Sequence, residues 1–223
     1  MNVKPILFNT EMVRAILDGK KSCTRRVIKF PVNRYTNNVP LADKVVVQEL
    51  RCDKVNFLEE PFFSYGMNLP YQPGDILYVR ETWEHFECCC CEGDEHGNCY
   101  REPQQSVLNK SCGCYMYRAT DEIYGDAKWH PSIHMPKEAA RIWLKVTDVR
   151  VERLQEITTN QIEQEGVETE YPHVLNGEEK KYAFQNLWNS TIKKSDLDRY
   201  GWNANPWVWV IEFERCDKPE SEG

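Results

Sequence analysis

The sequence predicts an α+β fold that is mainly β: a small barrel of five to six strands with short helices between them. Apolar and β-branched runs recur with turn residues between them, most clearly at 76–81, 142–152 and 207–213. Strands do not alternate regularly with helices, as they would in a doubly wound parallel sheet. Pro73-Gly74-Asp75 stands directly before a β-branched and aromatic run, which commonly opens a buried barrel strand. Together these observations favour a barrel decorated by helices.

The composition is that of a globular chain with an excess of acidic residues. Its 223 residues can bury a sizeable core, and 41% are hydrophobic and 28% charged. The net charge of -7 excludes broad, sequence-independent binding to duplex nucleic acid but leaves room for a local basic pocket. No apolar run approaches the roughly 20 residues of a membrane helix, and residues 1–4 do not open a signal peptide. We therefore expect a cytoplasmic protein with no membrane partner.

Local signals place the individual helices and strands. Asn9 or Thr10 can cap the first helix, which Gly19 ends, and Thr158 and Gly166 delimit the second. The expected helices are 11–18, 159–165 and 181–190, and the expected strands are 5–8, 27–30, 45–47, 76–81, 115–119, 142–152 and 207–213.

The chain is expected to form a single domain over residues 1–217. Two segments within it are expected to be insertions: an irregular one at 32–70, with one strand near its three consecutive valines, and a cysteine-rich one at 84–114. The charged tail at 218–223 is expected to fray.

The cysteine-rich insertion predicts a structural zinc site. Cys88-x-x-Cys91 and Cys112-x-Cys114 supply two close thiol pairs about twenty residues apart. Four thiolates give the tetrahedral sulfur shell that Zn²⁺ prefers, and such a shell leaves no open position for a catalytic water. In a reducing compartment, clustered cysteines indicate a metal before disulfides. One alternative is that the segment binds no metal and holds reduced thiols or a disulfide. Another is that the metal is bound by other cysteines of the segment, among them Cys89, Cys90 and Cys99.

A basic cluster at 19–26, with the sequence Gly-Lys-Lys-Ser-Cys-Thr-Arg-Arg, is the first candidate for a binding site. A helix-ending glycine followed by four cations and two hydroxyls brings side chains and free backbone N–H groups near one point. That chemistry suits a small anionic or strongly polar ligand. The alternative is a solvated basic loop. Cys23 within the cluster is interpreted as a small buried residue in preference to a reactive thiol.

Trp129 is the second candidate for ligand contact. It stands in a loop, directly before His130 and Pro131, where core packing explains a tryptophan poorly. A loop tryptophan can stack on a nucleobase.

Several blocks in order resemble the ASCH family, whose members have the PUA-like pseudo-barrel fold. The signature is glycine, any residue, lysine, two positions, an acidic or hydroxyl residue, one position and arginine; here it reads Gly19-x-Lys21-x-x-Thr24-x-Arg26. Three further blocks resemble the family downstream, at 73–81, 154–166 and 207–213. The whole chain looks closest to the longer ASCH-like proteins of bacteriophages and prophages.

The resemblance implies a set of catalytic candidates. Small bacterial enzymes similar at the signature are amidohydrolases that remove an acetyl group from acetylcytidine with a lysine, a threonine and a glutamate. By position these are Lys21, Thr24 and Glu165, with Glu163 as the alternative glutamate. A desolvated lysine can take the threonine proton, the glutamate can orient the lysine, and Arg26 can stabilise an oxyanion.

The same pocket also suits binding without catalysis, because many proteins of this fold bind RNA. We therefore expect a protein that binds RNA, a nucleotide or a modified nucleoside, with Arg25, Arg26, Arg80 and Trp129 as ligand contacts. Hydrolysis of an acyl group on a modified cytidine by Lys21, Thr24 and Glu165 is the alternative. A phage protein-interaction module is the third class, favoured if the pocket is closed.

Overall fold

The chain adopts an α+β fold dominated by strands, as the sequence predicts. The computed structural model describes residues 2–29, 45–50, 54–59, 63–87, 113–123, 128–167 and 177–220. The strands are β1 Val3–Leu7, β2 Cys23–Val27, β3 Val45–Leu50, β4 Lys54–Glu59, β5 Phe63–Asn68, β6 Ile76–Arg80, β7 Trp83–Glu87, β8 Gly113–Tyr117, β9 Trp143–Arg153 and β10 Trp207–Cys216. The α-helices are α1 Thr10–Leu17, α2 Thr159–Gln164, α3 Gly177–Thr191 and α4 Leu197–Tyr200.

The chain divides into two compact units, where the sequence predicts one domain over 1–217. Unit 1 comprises Met1–Gly19, Ile76–Lys145 and Arg215–Gly223, and unit 2 comprises Lys20–Asp75 and Val146–Glu214. The boundary at 145/146 falls inside β9, so this long strand contributes residues to both units.

Unit 1 is built on a parallel strand pair. β1 runs parallel to β6 with Val3 opposite Ile76, and β6 runs antiparallel to the start of β9. β7 and β8 form a separate antiparallel pair. Met135 and Trp143 are among the buried residues that pack against Ile76.

Unit 2 contains the rest of β9 followed, in strand order, by β10 and β2. β10 is antiparallel to β2, with Val208 opposite Val27 and Glu212 opposite Cys23. Helices α2 and α3 contribute Ile162, Phe184 and Trp188 to a core that includes apolar residues of β2 and β10. β3, β4 and β5 form a three-stranded antiparallel sheet in the same unit.

The predicted helix boundaries are confirmed by their capping interactions. Asn9 Oδ1 accepts a hydrogen bond from Met12 N at 2.8 Å and begins α1. Gly19 follows α1 with φ of +72°, a left-handed conformation that glycine adopts without strain. Thr158 begins α2 by accepting from Gln161 N, and Gly166 follows α2 with φ of +75°.

Several segments differ from their sequence predictions: α3 begins at Gly177 and not at 181, and neither β7 nor α4 was predicted. Two further differences concern β2 and the segment 32–70. β2 begins at Cys23, within the basic cluster, and not at Val27, because residues 23–27 pair with the apolar strand β10. Composition assigns such a charged segment to a loop, but in the structure two carboxylates far along the chain, Glu152 and Glu165, pair with Arg25. The described residues of the segment 32–70 form three strands where its valines predict one, since the other two strands lack an apolar run of comparable length.

The hydrogen-bonded pairs among the described strands do not close into a ring. The PUA-like pseudo-barrel therefore remains a proposal. Within the described ranges, no helix is long and apolar enough to cross a membrane.

Candidate functional site

The start of β2 is attached to the C-terminus of α2. Lys21 and Glu165 form an isolated antiparallel bridge, and Ser22 N donates to Gln164 O at 2.9 Å. Ser22 O in turn accepts from Phe213 N of β10. Glu165 is the residue at which α2 ends. The backbone thus brings the signature lysine next to a glutamate that is 144 residues away in sequence.

The Glu165 carboxylate lies between two buried cations. Its Oε2 accepts from Lys21 Nζ at 2.7 Å, and its Oε1 accepts from Arg25 Nη1 at 3.1 Å. The side chains of Lys21, Glu165 and Arg25 are 0%, 5% and 1% exposed. Charges this deeply buried persist only when they are paired, so the three groups depend on one another.

The network continues to the surface through residues that the sequence analysis missed. Arg25 Nη2 donates to Glu152 Oε2 at 3.2 Å, and Glu152 Oε1 accepts from Arg150 at 2.5 Å. Arg150 also pairs with Asp148 and Glu212. Asp148, Arg150 and Glu152 are spaced two apart on β9, so their side chains share one face. That spacing of alternating charges was the signal available in the sequence.

Lys21 uses all three of its ammonium protons in hydrogen bonds. They go to Cys23 O at 2.7 Å, Glu165 O at 2.9 Å and Glu165 Oε2 at 2.7 Å. Glu165 O lies at the C-terminal end of α2, where the helix dipole favours a cation. An amine that acts as a base needs a lone pair. The arrangement therefore holds Lys21 as a cation.

Strand alternation separates the remaining residues of the signature. Cys23 and Arg25 lie on one face of β2, and Thr24 and Arg26 lie on the other, opposite Ile211 and Trp209 of β10. Thr24 is buried, and no hydrogen bond of the described residues joins it to Lys21 or Glu165. The structure thus brings together Lys21, Arg25 and Glu165, while Thr24 stands apart from their hydrogen bonds.

Arg26 is half-buried and sits in a mixed electrostatic environment. Burial lowers the pKa of its guanidinium, and the charges of Glu165 and Tyr71 oppose that effect. Burial likewise raises the pKa of Tyr71, and Arg26 counteracts it. Tyr71 and Arg26 thus lie within electrostatic range of each other, and Tyr71 is a further residue that the sequence analysis did not select.

Cys23 is a buried thiol, in agreement with its interpretation from the sequence. Burial raises its pKa from 9.0 to about 12, and the charge of Glu165 adds to the effect. Arg25 and Lys21 oppose the shift without cancelling it. The thiolate required for nucleophilic chemistry is thus strongly disfavoured.

Two predicted ligand contacts, Arg80 and Trp129, belong to unit 1. Arg80 is half-buried, and its Nε donates to Met135 O at 2.7 Å. Trp129 is half-buried in the loop before His130. The His130 ring lies 5.2 Å from the ring of Trp83, and its Nε2 is 3.5 Å from Glu84 Oε1.

Unit 1 also contains a buried ion pair that the sequence analysis missed. Glu81 is 1% exposed and accepts from Arg141 Nε at 2.9 Å and Nη2 at 3.0 Å. The Arg141 guanidinium stacks 4.0 Å from the centre of the Tyr117 ring. Burial raises the pKa of Glu81, and Arg141 opposes it. Because the partners are 60 residues apart, no local sequence pattern predicts this ion pair.

The predicted zinc ligands fall mostly outside the described residues. Cys88, Cys91 and Cys112 lie outside them, as do the alternatives Cys89, Cys90 and Cys99, while Cys114 belongs to β8. Within the described ranges, no three His, Cys, Asp or Glu residues are grouped to hold a metal ion. The zinc site therefore stays a prediction.

Fold and site together define an α+β protein with a buried Lys–Glu–Arg network in one of its two units. A scan of protein-family models, a search of curated proteins and a search of solved structures each gave no match to the chain. The ASCH resemblance accordingly remains a prediction that rests on the sequence blocks alone.

Proposed function

We propose that the chain is an ASCH-like protein with a PUA-like pseudo-barrel, and that it binds RNA, a nucleotide or a modified nucleoside through the basic segment of β2. Arg26 is the cation that meets the ligand. Lys21, Arg25 and Glu165 are the groups that hold the segment in place. The observation that supports this proposal is the buried carboxylate of Glu165, which contacts both Lys21 and Arg25.

The charge balance of the network supports this division of roles. Lys21 and Arg25 are both paired with carboxylates, those of Glu165 and Glu152. Arg26 is the remaining arginine of β2. Because it is half-buried, its interaction with a phosphate is screened less by water than that of an exposed arginine. A guanidinium also matches the geometry of a phosphate group.

Binding is tested by fluorescence anisotropy with a labelled single-stranded RNA. We expect Arg26→Gln to weaken binding by about 10- to 100-fold, the loss typical of a charge-assisted hydrogen bond. The slope of log affinity against log salt should fall by about 0.7, the contribution of one single-strand phosphate. Arg215→Gln, which removes an exposed arginine, is the matched control. Equal affinity of the two variants would contradict the role of Arg26.

Arg80 and Trp129 are proposed as ligand contacts of unit 1 and are tested in the same assay. Arg80→Gln removes a guanidinium whose Nε is held by Met135 O. Trp129→Leu keeps an apolar side chain but removes the ring that would stack on a base. Each should weaken RNA binding relative to the Arg215→Gln control, and unchanged affinity would contradict the role of that residue as a ligand contact.

Amide hydrolysis is the second candidate, because Lys21 and Glu165 meet at 2.7 Å as the amidohydrolase resemblance implies. In this reaction Thr24 Oγ1 adds to the acetyl carbonyl, and its proton passes to the Lys21 amine. The exocyclic amine of the cytosine then leaves with that proton, and water hydrolyses the threonine ester. Lys21 must first give a proton to Glu165, because all three ammonium protons are donated in this structure.

Hydrolysis is tested with acetylcytidine and the variant Thr24→Val. Valine has nearly the same shape as threonine and suits a buried β-strand position, so the fold should survive. Turnover by the unmodified chain that Thr24→Val abolishes would support hydrolysis. Turnover that persists in Thr24→Val, or none in either protein, would contradict it.

A further inference from the structure

A small cavity in unit 2 lies among α3, α4 and the turn that follows α4. Its volume is about 330 Å³, and its lining includes Asn189, Leu197, Asp198, Trp202 and Asn203. Ligand cavities in proteins span roughly 300–1,000 Å³, so this one suits a small group and not an extended chain.

The lining combines apolar surface with polar groups of defined character. Leu197 and Trp202 provide apolar area, while Asn189, Asp198 and Asn203 provide an acid and two amides. No lysine or arginine is among the described residues that line the cavity. A phosphate would meet the Asp198 carboxylate without a compensating cation, so the cavity does not suit an anion.

One hydrogen-bond donor of the cavity has a defined orientation. Asn189 Oδ1 accepts from Trp202 N at 2.9 Å, which identifies the other atom of the amide group as Nδ2. Within the described part of the chain, Asn189 Nδ2 donates to no protein atom, and the exposed carboxylate of Asp198 takes part in no hydrogen bond or ion pair. The residues that line the cavity thus include one amide donor and one carboxylate acceptor without partners among the described residues.

Backbone contacts hold this wall of the cavity in shape. Trp202 O accepts from Gln155 Nε2 at 2.8 Å, and Gly201 N donates to Leu197 O at 2.8 Å. A Cβ on Gly201 would lie 2.6 Å from Leu197 O, so only glycine allows this close approach. Such a preformed cavity binds a rigid group without a large ordering cost.

We propose that this cavity binds a nucleobase that carries an exocyclic amino group: cytosine, adenine or guanine. The flat base meets Leu197 and Trp202, its amino group donates to Asp198, and a ring nitrogen or carbonyl oxygen accepts from Asn189 Nδ2. A simple amine would satisfy Asp198 alone and leave the Asn189 donor and the apolar wall unused. Uracil directs carbonyl oxygens to both sides of its single N–H, and a carboxylate repels them.

The choice of a nucleobase over other flat polar groups rests on the proposed function. The two proposed sites bind different chemical groups: the cavity binds a base, and Arg26 binds a phosphate. A nucleoside without phosphate therefore tests the cavity alone. An RNA tests both sites.

The experiment is a titration of the whole chain with cytidine and with uridine, followed by the indole resonances of isotope-labelled tryptophan. Trp202→Phe assigns the Trp202 resonance. We expect cytidine to shift it with a dissociation constant on the order of 1 mM, and uridine to bind at least about 10-fold more weakly. Loss of the Asp198 acceptor in Asp198→Asn should weaken cytidine binding about 10-fold and remove the preference over uridine.

Two further variants sharpen the test. Asn189→Asp keeps the oxygen that accepts from Trp202 N but removes the Nδ2 donor, so cytidine binding should fall while the fold persists. Asp217→Asn, an exposed carboxylate outside the lining, should leave it unchanged.

The outcomes separate this inference from the proposed function. No cytidine-dependent shift of Trp202, equal affinity for cytidine and uridine, or binding of spermidine in place of cytidine would overturn the inference. RNA binding that still depends on Arg26 would then leave the proposed function intact. Conversely, cytidine binding that depends on Asp198, together with RNA binding insensitive to Arg26→Gln, would support the cavity and overturn the Arg26 site.

Discussion

Replacing Glu165 with glutamine should destabilise the protein far more than the same change two residues earlier. Glu165 accepts from Lys21 Nζ at 2.7 Å and Arg25 Nη1 at 3.1 Å, and both cations are buried. The neutral amide leaves Lys21 without a carboxylate partner and points its NH₂ group at one of the two cations. Breaking a buried pair by removing one partner costs about 3–5 kcal/mol.

Glu163 in the same helix is the matched control. Its side chain is 57% exposed and pairs with Lys180 at the surface. An exposed pair of this kind contributes about 0–1 kcal/mol, so Glu163→Gln should have almost no effect.

The assay is urea denaturation followed by tryptophan fluorescence, together with thermal unfolding. For a chain of this size, Glu165→Gln should lower the melting temperature by roughly 6–20 °C. Glu163→Gln should lower it by less than about 4 °C. Equal destabilisation by the two substitutions would refute the reasoning, because it would mean that Glu165 pairs no more strongly than a surface residue.

Three further results are expected. In the native protein, Cys23 should react with iodoacetamide more slowly than the half-buried Cys216. A pKa of the Cys23 thiol raised from 9.0 to about 12 lowers its thiolate fraction roughly a thousandfold. Equal labelling of the two cysteines by mass spectrometry would contradict this. Burial raises the pKa of Glu81 above 4.5, so the folded state binds the proton more tightly than the unfolded state, and stability should fall as pH rises through that raised pKa. Glu81→Gln should flatten the slope of unfolding free energy against pH, measured by urea titrations from about pH 4 to 7. An unchanged slope would assign the pH dependence to other groups. Purified protein should carry about one equivalent of zinc, and less than about half an equivalent by elemental analysis would count against the cysteine site.

The elements that the sequence predicts well are those defined by local chemistry. Asn9, Gly19, Thr158 and Gly166 delimit α1 and α2 in the structure because a capping side chain or a left-handed glycine acts within one turn of helix. The strand at β10 follows from its continuous apolar run. In each case the residues that determine the element are the element's own.

The features that sequence analysis misses depend on partners far along the chain. No residue within the segment 23–26 indicates a strand, because the partners that compensate Arg25 are Glu165 and Glu152, more than 120 residues away. The pairing of Glu81 with Arg141 is equally non-local. The contact of Lys21 with Glu165 was anticipated only because the family resemblance paired the two positions, and no helical or strand periodicity links residues 144 apart.

The two candidate functions differ in whether Lys21 must lose a proton to Glu165. Apolar side chains can often replace a buried ion network without loss of stability, so attachment of α2 to β2 does not by itself require Lys21, Arg25 and Glu165. Positive charge is already present at Arg26, so binding of an anionic ligand needs no rearrangement of the Lys21 contacts. Hydrolysis needs Lys21 as a base, and therefore needs a proton to move from Lys21 Nζ to Glu165 Oε2 across 2.7 Å before Thr24 can react. Binding as proposed needs no such proton transfer, whereas hydrolysis requires a ligand that drives it.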